Sequence, residues 1–290
     1  MKKPFYYCTL GILNALLCLL PSLQACKTDV AIPPQTTERT LYYSPSARSV
    51  ETDEQLAPAP TISDFWAVDD VDISMLDKTK KHVAFTFDDA PTKNLPELTQ
   101  VFLDFNQSNP DCIASATIFF NGVNLNEYTL RYLKQAYEAG LELGNHTYSH
   151  CDLRTLASFE IEKEISLVDE FLEKIDGKPL HLLRAPYGAI NDKVRALVKT
   201  PILDWSVDTL DWTGISAEEI CQKTLDGLEQ GAIVLFHDGT KNTVQAIRNL
   251  LPILKEKNYQ VVSVSQLSKI HTCPLRSGGL YTRARPNKNK

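Results

Sequence analysis

The feature of this chain that most constrains its fold is a regular alternation of short apolar runs with longer amphipathic stretches, which begins at His82. The short runs are typical of buried β-strands, and the amphipathic stretches are typical of helices that pack on a sheet. Since neighbouring parallel strands must be joined by a crossover segment, usually a helix, this alternation predicts an α/β fold with a parallel sheet.

The pattern repeats about seven times, which favours a closed (β/α) barrel of about seven parallel strands with outer helices over a six-stranded open sheet. The predicted strands are 82–87, 115–120, 141–144, 181–183, 202–207, 232–236 and 260–264. The predicted helices are 96–106, 127–139, 158–175, 191–199, 216–229 and 243–257. No Gly-x-Gly-x-x-Gly follows the first strand and the sequence has no phosphate-binding loop, so nucleotide binding is not supported.

The N-terminal segment has the pattern of a secretory signal peptide, because Lys2 and Lys3 precede an apolar stretch over residues 5–20. It ends in Leu23-Gln24-Ala25-Cys26, which resembles the bacterial lipobox, so Cys26 is the expected lipidated first residue of the mature chain. The alternatives are an ordinary signal peptide cut nearby and an uncleaved anchor helix. All three interpretations place the folded domain outside the cytoplasm.

The chain therefore divides into four predicted segments. Residues 1–25 are the lipoprotein signal peptide, and residues 26–80 are a lipid-anchored, proline-rich tether with an acidic N-terminal segment. Residues 81–270 form the folded domain, and residues 271–290 are a basic C-terminal tail. Most of the tether is rich in Pro, Thr, Ser and Gln, a composition that buries too little apolar surface to order itself.

Charge and cysteine content limit the partners. The chain has 30 basic and 36 acidic residues, a formal net charge of −6, so no nucleic-acid partner is expected, and we expect a monomer. The cysteines beyond Cys26 are Cys112, Cys151, Cys221 and Cys273. In an oxidising compartment they permit two bridges in three connectivities, with free thiols as the alternative. None lies in a Cys-x-x-Cys pair, which argues against a cysteine metal site.

Polar side chains follow five of the predicted strands. In a (β/α) barrel the chemistry lies at the carboxyl ends of the strands, so these side chains are expected to meet. They are Asp88-Asp89, the run Asn145–His150, the run Arg184–Gly188, the run Asp208–Trp212, and His237-Asp238. Each of these segments taken alone also has an ordinary structural interpretation as a helix cap, a turn or a buried polar group.

His146 and His150 are four residues apart, a spacing that places both rings on one face if the segment is helical. Two histidines and one carboxylate would supply three protein ligands and leave the fourth position to water, as catalytic zinc requires. Arg184 is either a structural loop residue or the partner of a carboxylate. Trp212 either begins a helix or forms a wall against a sugar, and His237 ends a buried strand.

Together these segments resemble the five ordered motifs of the NodB-homology polysaccharide deacetylases, carbohydrate esterase family 4. The matching segments are Thr86–Pro91 (TFDDAP, against TFDDGP), His146–His150 (HTYSH), Arg184–Tyr187 (RAPY), Asp208–Trp212 (DTLDW) and Leu235–His237 (LFH). The one departure is Ala90 in place of Gly, which costs little unless that residue needs a positive φ.

The resemblance implies a distorted (β/α) barrel of the NodB-homology type that removes acetyl groups from polysaccharides in a metal-dependent reaction. Asp89, His146 and His150 would bind Zn²⁺ or another divalent metal such as Co²⁺. Asp88 would be the general base, and Arg184 would hold Asp88 in place.

By the same resemblance, His237 would protonate the leaving amine while Asp211 orients its ring. The backbone N–H of Tyr187 would help to stabilise the oxyanion, and Tyr187, Trp212 and Leu235 would shape the sugar and acetyl pocket. The expected substrate carries N-acetyl groups on hexosamines, as in peptidoglycan, chitin-like polymers or exopolysaccharides.

Two other functions stay open: an acetylxylan-type O-deacetylase, and a non-catalytic lipoprotein that binds the cell wall. In each case the expected location is the bacterial cell envelope, with the membrane reached through a lipid on Cys26. If Cys26 is not lipidated, the expected protein is secreted or periplasmic.

Overall fold

The computed structural model describes residues 65–285 of the chain. The predicted signal peptide, Cys26, the tether up to residue 64 and the end of the predicted tail lie outside the described residues. The strands are β1 Lys81–Ala90, β2 Thr117–Phe120, β3 Glu142–Asn145, β4 Ile202–Leu203, β5 Val207–Asp208, β6 Ile233–His237, β7 Tyr259–Val262 and β8 Leu280–Tyr281. The α-helices are α1 Leu95–Ser108, α2 Glu127–Glu138, α3 Ser158–Asp176, α4 Asp192–Leu197, α5 Ala217–Asp226, α6 Lys241–Glu256 and α7 Val264–Ile270.

The sheet is centred on β1, in the order β3-β2-β1-β6-β5. β7 also pairs with β1, along Lys81–Ala84, whereas β2 pairs with β1 from Thr86 onward. Beyond β3, bridges from Leu183 to Asn145 and to Ile202 continue the pairing to β4, which pairs with β8. All of these pairings are parallel. The predicted α/β fold and the distorted (β/α) barrel are therefore confirmed.

β1 is buried from residue 82 to residue 88, with both faces covered. A strand in that position has a continuous apolar sequence rather than an alternating one. Phe85 and Phe87 of β1 pack on Phe236 of β6, with ring centroids 4.9 Å and 5.3 Å apart. This packing holds β1 and β6 in a register that places Asp88 beside His237.

The predicted strand 202–207 is wrong in its middle, because the structure has two short strands, β4 and β5, separated by residues 204–206. The side chain of Arg184 accounts for the break. Its Nε donates to the carbonyl of Leu203 at 3.2 Å, and its Nη2 donates to the carbonyl of Asp204 at 3.1 Å. These two carbonyls therefore bond to a side chain instead of a neighbouring strand.

The predicted strand 181–183 is reduced to the single bridging residue Leu183. The predicted last strand, 260–264, ends at Val262, and Ser263 begins a helix that the sequence analysis did not predict. The Ser263 hydroxyl accepts from the N–H of Gln266, and the Gln266 side chain accepts from the N–H of Ser263. This reciprocal pair is a capping box, a signal that can be read in the sequence as Ser-x-x-Gln.

The folded part of the chain is longer than the predicted range of residues 81–270. At its start, Trp66 Nε1 donates to the hydroxyl of Ser265 at 3.1 Å, and Leu76 is buried. At its end, β8 pairs with β4, and Ala284 is fully buried. The segment predicted as a tail therefore packs on the barrel as far as the structure describes it.

The four cysteines of the described region are free thiols, so neither of the two permitted bridges is formed. Among residues 65–285, no helix is both long enough and apolar enough to cross a membrane.

Candidate active site

The two adjacent carboxylates lie within the last residues of β1, which continues to Ala90 instead of ending at Phe87 as predicted. Asp88 is the register partner of His237, and its carbonyl accepts from the N–H of Asp238 at 2.8 Å. Asp89 has a φ of 64°, so the chain turns sharply there. The two side chains therefore have different surroundings although they are neighbours in sequence.

Asp89, His146 and His150 place one ligand atom each within 4.8 Å of one another. The Oδ1 of Asp89 is 3.7 Å from the Nε2 of His146 and 3.3 Å from the Nε2 of His150. The Nδ1 of His146 lies 2.8 Å from the carbonyl oxygen of Arg184, and must donate to it because a carbonyl only accepts. The Nε2 of His146 then keeps its lone pair, so two imidazole nitrogens and one carboxylate oxygen fit a divalent ion such as zinc.

The segment from His146 to His150 is not helical, so the two rings do not meet through helical spacing. Thr147 and His150 instead have positive φ values of 65° and 56°. A tight loop thus brings the rings together, with their centroids 5.0 Å apart.

The surroundings of Asp89 and His150 favour the protonation states that bind a metal ion. Burial raises the pKa of Asp89, but His146, His150, His237 and the amide of Asn121 outweigh it, and the net pKa is lowered. Burial and the neighbouring His146 lower the pKa of His150. A carboxylate anion and neutral imidazoles are the forms that bind metal ions.

Asn121 is a site residue that the sequence analysis missed. It follows β2 directly, and its Nδ2 donates to Asp89 Oδ1 at 3.0 Å. The signal was available, because Asn121 is a polar residue at the carboxyl end of a predicted strand.

Arg184 is fully buried and fixes one side of Asp88. Its Nη1 donates to Asp88 Oδ1 at 3.0 Å and to the hydroxyl of Thr86 at 2.6 Å, and its guanidinium lies 4.5 Å from the ring centre of Phe119. The other oxygen of Asp88, Oδ2, is 3.7 Å from the Nε2 of His146. Asp88 is thus held through one oxygen and faces His146 with the other.

His237 is paired with Asp211, which is fully buried. The Nδ1 of His237 is 2.8 Å from Asp211 Oδ1, and the backbone N–H of His237 donates to Asp211 Oδ2 at 2.8 Å. Burial disfavours the charged imidazole, but the hydrogen bond and charge of Asp211, with Asp88 and Asp89, raise the pKa of His237 to about 9. This pKa favours the charged imidazolium of His237 at neutral pH.

Two exposed aromatic residues lie on loops of the site. Tyr187 is 59% exposed and its ring centroid is 4.8 Å from that of His150, and Trp212 is 48% exposed. Leu235, in contrast, is a buried residue of β6. Tyr187 has a φ of 62° in the turn Pro186–Gly188, an uncommon conformation for a bulky residue.

Backbone strain is concentrated at this end of the barrel. The non-glycine residues with a positive φ at this end are Asp89, Thr147, His150, Tyr187 and Leu210. Residues held in the left-handed region tend to cluster at functional sites. Ala90, by contrast, is not among the residues with positive φ, so the alanine that replaces the family's glycine carries no backbone strain.

Fold and site together define a (β/α)-barrel protein with a candidate divalent-metal centre and a charged His–Asp pair at the carboxyl ends of its strands. Residues 76–201 match the family model described as polysaccharide deacetylase. The chain belongs to the polysaccharide deacetylase family.

Similar proteins agree with this assignment. A peptidoglycan-N-acetylglucosamine deacetylase of Bacillus cereus is 35% identical over 65% of this chain and 88% of its own length. The peptidoglycan-N-acetylmuramic acid deacetylase PdaC of Bacillus subtilis is 33% identical over 67% of this chain, which spans only 40% of that relative's length. A solved structure described as the T48 deacetylase with substrate has a TM-score of 0.64 and 32% identity, and the match covers 71% of this chain and 99% of that one.

Proposed function

We propose that this protein is a metal-dependent deacetylase that hydrolyses N-acetyl groups on the hexosamines of a glycan, with peptidoglycan as the first candidate substrate. The observation that carries the proposal is the convergence of Asp89, His146 and His150 beside two further titratable groups, Asp88 and His237. Metal binding alone requires neither of these two groups, whereas amide hydrolysis requires a base and an acid. Their presence therefore favours an enzyme over a wall-binding protein.

An acetamide resists hydrolysis because its carbonyl is a poor electrophile and its amine is a poor leaving group. A divalent ion held by Asp89, His146 and His150 would polarise the carbonyl and make water more acidic, with Zn²⁺ or Co²⁺ as the candidate ions. Asp88 would accept the proton of the attacking water through Oδ2, since Oδ1 is already held by Arg184. The fixed guanidinium keeps this carboxylate in one orientation.

His237 would give its Nε2 proton to the leaving amine. Its Nδ1 bonds to Asp211, so the ring is oriented and the proton on Nε2 is free to be donated. A pKa of about 9 keeps His237 charged until that step. The backbone N–H of Tyr187, which lies in the strained turn Pro186–Gly188, would donate to the oxyanion.

The glycan would lie across the exposed faces of Tyr187 and Trp212, which offer stacking surfaces for sugars. Leu235 would contribute an apolar wall to the acetyl pocket from β6. The two peptidoglycan deacetylases named above are 33% and 35% identical to this chain, whereas a relative described as a bifunctional xylanase/deacetylase is 27% identical, which favours a wall glycan over xylan.

The site of action would be the bacterial cell envelope, where a monomer is attached to the membrane through a lipid on Cys26. The support is the sequence Leu23-Gln24-Ala25-Cys26 and the proline-rich tether after it. In cell fractionation, Cys26→Ser is expected to move the protein from the membrane to the soluble periplasmic or extracellular fraction. A variant that stays in the membrane with residues 5–20 uncleaved contradicts lipid anchoring.

The activity is tested by acetate release from chitooligosaccharide, peptidoglycan and acetylxylan, measured side by side with Zn²⁺, with Co²⁺ and with a chelator. We expect metal-dependent release from the hexosamine polymers, and loss of that release in His146→Ala. Release from acetylxylan alone would make the protein an O-deacetylase. Binding of peptidoglycan without release of acetate from any substrate would make it a wall-binding protein.

A further inference from the structure

Asp211 receives a hydrogen bond from outside its pair with His237. The hydroxyl of Thr243 lies 2.6 Å from Asp211 Oδ2, and both side chains are buried. Thr243 is in the first turn of α6, which follows β6 and His237 in the chain. The carboxylate that orients His237 is therefore tied to a helix of the outer layer.

The direction of this hydrogen bond is fixed by its chemistry. An ionised carboxylate can only accept, so the single hydroxyl proton of Thr243 must point at Asp211. The hydroxyl of Thr240 lies 2.9 Å from that of Thr243 and must then donate to it. Thr240 also caps α6, because its hydroxyl oxygen accepts from the N–H of Thr243 at 3.1 Å. The chain of donors therefore runs from Thr240 to Thr243 to Asp211.

This chain of donors fixes the direction of Asp211. With Oδ2 held by the hydroxyl of Thr243 and by the backbone N–H of His237, only Oδ1 is left to face the ring at Nδ1. The orientation of the Asp211 carboxylate in its fully buried position thus depends on Thr243.

We propose that Thr243 is a positioning residue of the deacetylase reaction, which acts through Asp211 to hold the imidazolium of His237 in the geometry for proton donation. The inference rests on the proposed function, because it assigns Thr243 to the acid step. Among its described contacts, Thr243 touches neither the proposed metal ligands nor Tyr187 or Trp212, so its removal is expected to leave metal binding and substrate binding intact.

The test uses Thr243→Val, which keeps the shape of the side chain and removes the hydroxyl, and Thr243→Ser, which restores the hydroxyl. We expect Thr243→Val to lower kcat about 10- to 100-fold, the range for partners that orient a site residue, with KM and bound zinc unchanged. Thr243→Ser is expected to recover most of kcat. Thr224→Val is the matched control, because Thr224 is a buried helical threonine whose hydroxyl bonds only to the carbonyl of Ile220 among its described contacts.

A double-mutant comparison with Asp211 distinguishes a positioning role of Thr243 from a general loss of stability. In an Asp211→Ala background, Thr243→Val is expected to have little further effect on kcat, since the group through which it acts is gone. Equal effects of Thr243→Val with and without Asp211 would overturn the proposal. So would a normal kcat in Thr243→Val, or a fall in kcat of the same size in Thr224→Val.

The role of Thr243 can also be tested without turnover, by proton NMR of His237. The proton resonance of the His237 Nδ1–H, identified by its loss in His237→Ala, is expected to shift in Thr243→Val and to return in Thr243→Ser. If the wild-type protein releases no acetate, the proposed function fails and this resonance decides the role of Thr243. An unchanged resonance in Thr243→Val overturns the proposal.

Discussion

His237 and His181 each have a carboxylate within hydrogen-bond distance of a ring nitrogen, and they differ in how many ring nitrogens are already bonded. His237, at the carboxyl end of β6, contacts Asp211 through Nδ1 at 2.8 Å. His181, at the start of a strand-like segment, contacts Asp169 through Nδ1 at 2.9 Å and Asp176 through Nε2 at 3.3 Å. Burial opposes the charged form of both rings, and the carboxylates overcome it, so both pKa values are raised.

The ring with an unbonded nitrogen is also the more exposed of the two. The side chain of His237 is 16% exposed, whereas that of His181 is 1% exposed. A carboxylate partner therefore does not by itself mark a catalytic histidine. The mark is a partner on one nitrogen together with a second nitrogen that is free to meet a substrate. In the described structure His237 has this combination, whereas both ring nitrogens of His181 contact carboxylates, an arrangement that favours its charged form.

The two histidines are distinguished by removing each ring in turn, and His237→Ala is expected to have the largest effect. We expect turnover to fall about 10²- to 10⁴-fold, because a general acid is lost. Bound zinc is expected to stay stoichiometric, since His237 is not a ligand. Steady-state acetate release and metal analysis of the same preparation check this, and near-normal turnover would remove His237 from the acid step.

The complementary variant is His181→Leu, which leaves Asp169 and Asp176 buried without their cation. Breaking a buried ion pair costs about 3–5 kcal/mol, so the free energy of unfolding is expected to fall by that order. Acetate release per folded molecule is expected to stay close to wild type. Denaturant unfolding and an active-site titration separate the two effects, and a loss of kcat with unchanged stability would reverse the assignment.

A milder version of the first change is Asp211→Asn, which keeps the size of the side chain and removes its charge. We expect kcat to fall in the same direction as in His237→Ala but less, since the imidazole is still present. Retention of zinc and an unchanged KM are the accompanying expectations. A larger loss than in His237→Ala would mean that Asp211 does more than orient the ring.

The smallest expected effect is a pH dependence of stability. The pKa of His181 is raised in the folded protein, so its contribution is fully present below its unfolded pKa of about 6.5 and is lost as the pH rises through the folded pKa. Burial raises the pKa of Asp176, but hydrogen bonds from His181 and from the backbone N–H of Lys178 outweigh it, and the net pKa is lowered. The contribution of Asp176 to stability is therefore lost only in acid. Between wild type and His181→Gln, the difference in unfolding free energy is therefore expected to shrink from neutral toward alkaline pH. A difference that grows over this range would contradict the assignment of His181 as a cation.

The sequence predicts the barrel and the central site residues for one physical reason. In a parallel α/β fold the carboxyl ends of the strands must meet, so polar residues at the ends of Val83–Phe87 and Ile233–Phe236 have to come together. The conformations of the loops, by contrast, are not predicted by the sequence pattern. His146 and His150 meet through residues with positive φ, which no pattern of polar and apolar residues reveals.

The remaining contacts of the site depend on tertiary packing. Thr243 reaches Asp211 across 32 positions, and Asp169 reaches His181 across 12, and neither spacing has a local signature. The division of 202–207 into two strands likewise depends on Arg184, a residue from another part of the fold. These contacts join residues that are distant in sequence, so they are determined by the tertiary packing of the side chains.

We propose that the adjacent carboxylates of β1 have different tasks, with Asp89 as a metal ligand and Asp88 as the base. Bound zinc and acetate release, measured in Asp88→Asn and Asp89→Asn, test this division. We expect Asp88→Asn to keep stoichiometric zinc and lose turnover beyond rescue by added zinc, because an amide cannot accept the proton of water. We expect Asp89→Asn to bind zinc weakly and to recover some activity in excess zinc. Loss of zinc in Asp88→Asn with retention in Asp89→Asn would reverse the two roles, and full zinc and activity in both would place the site elsewhere.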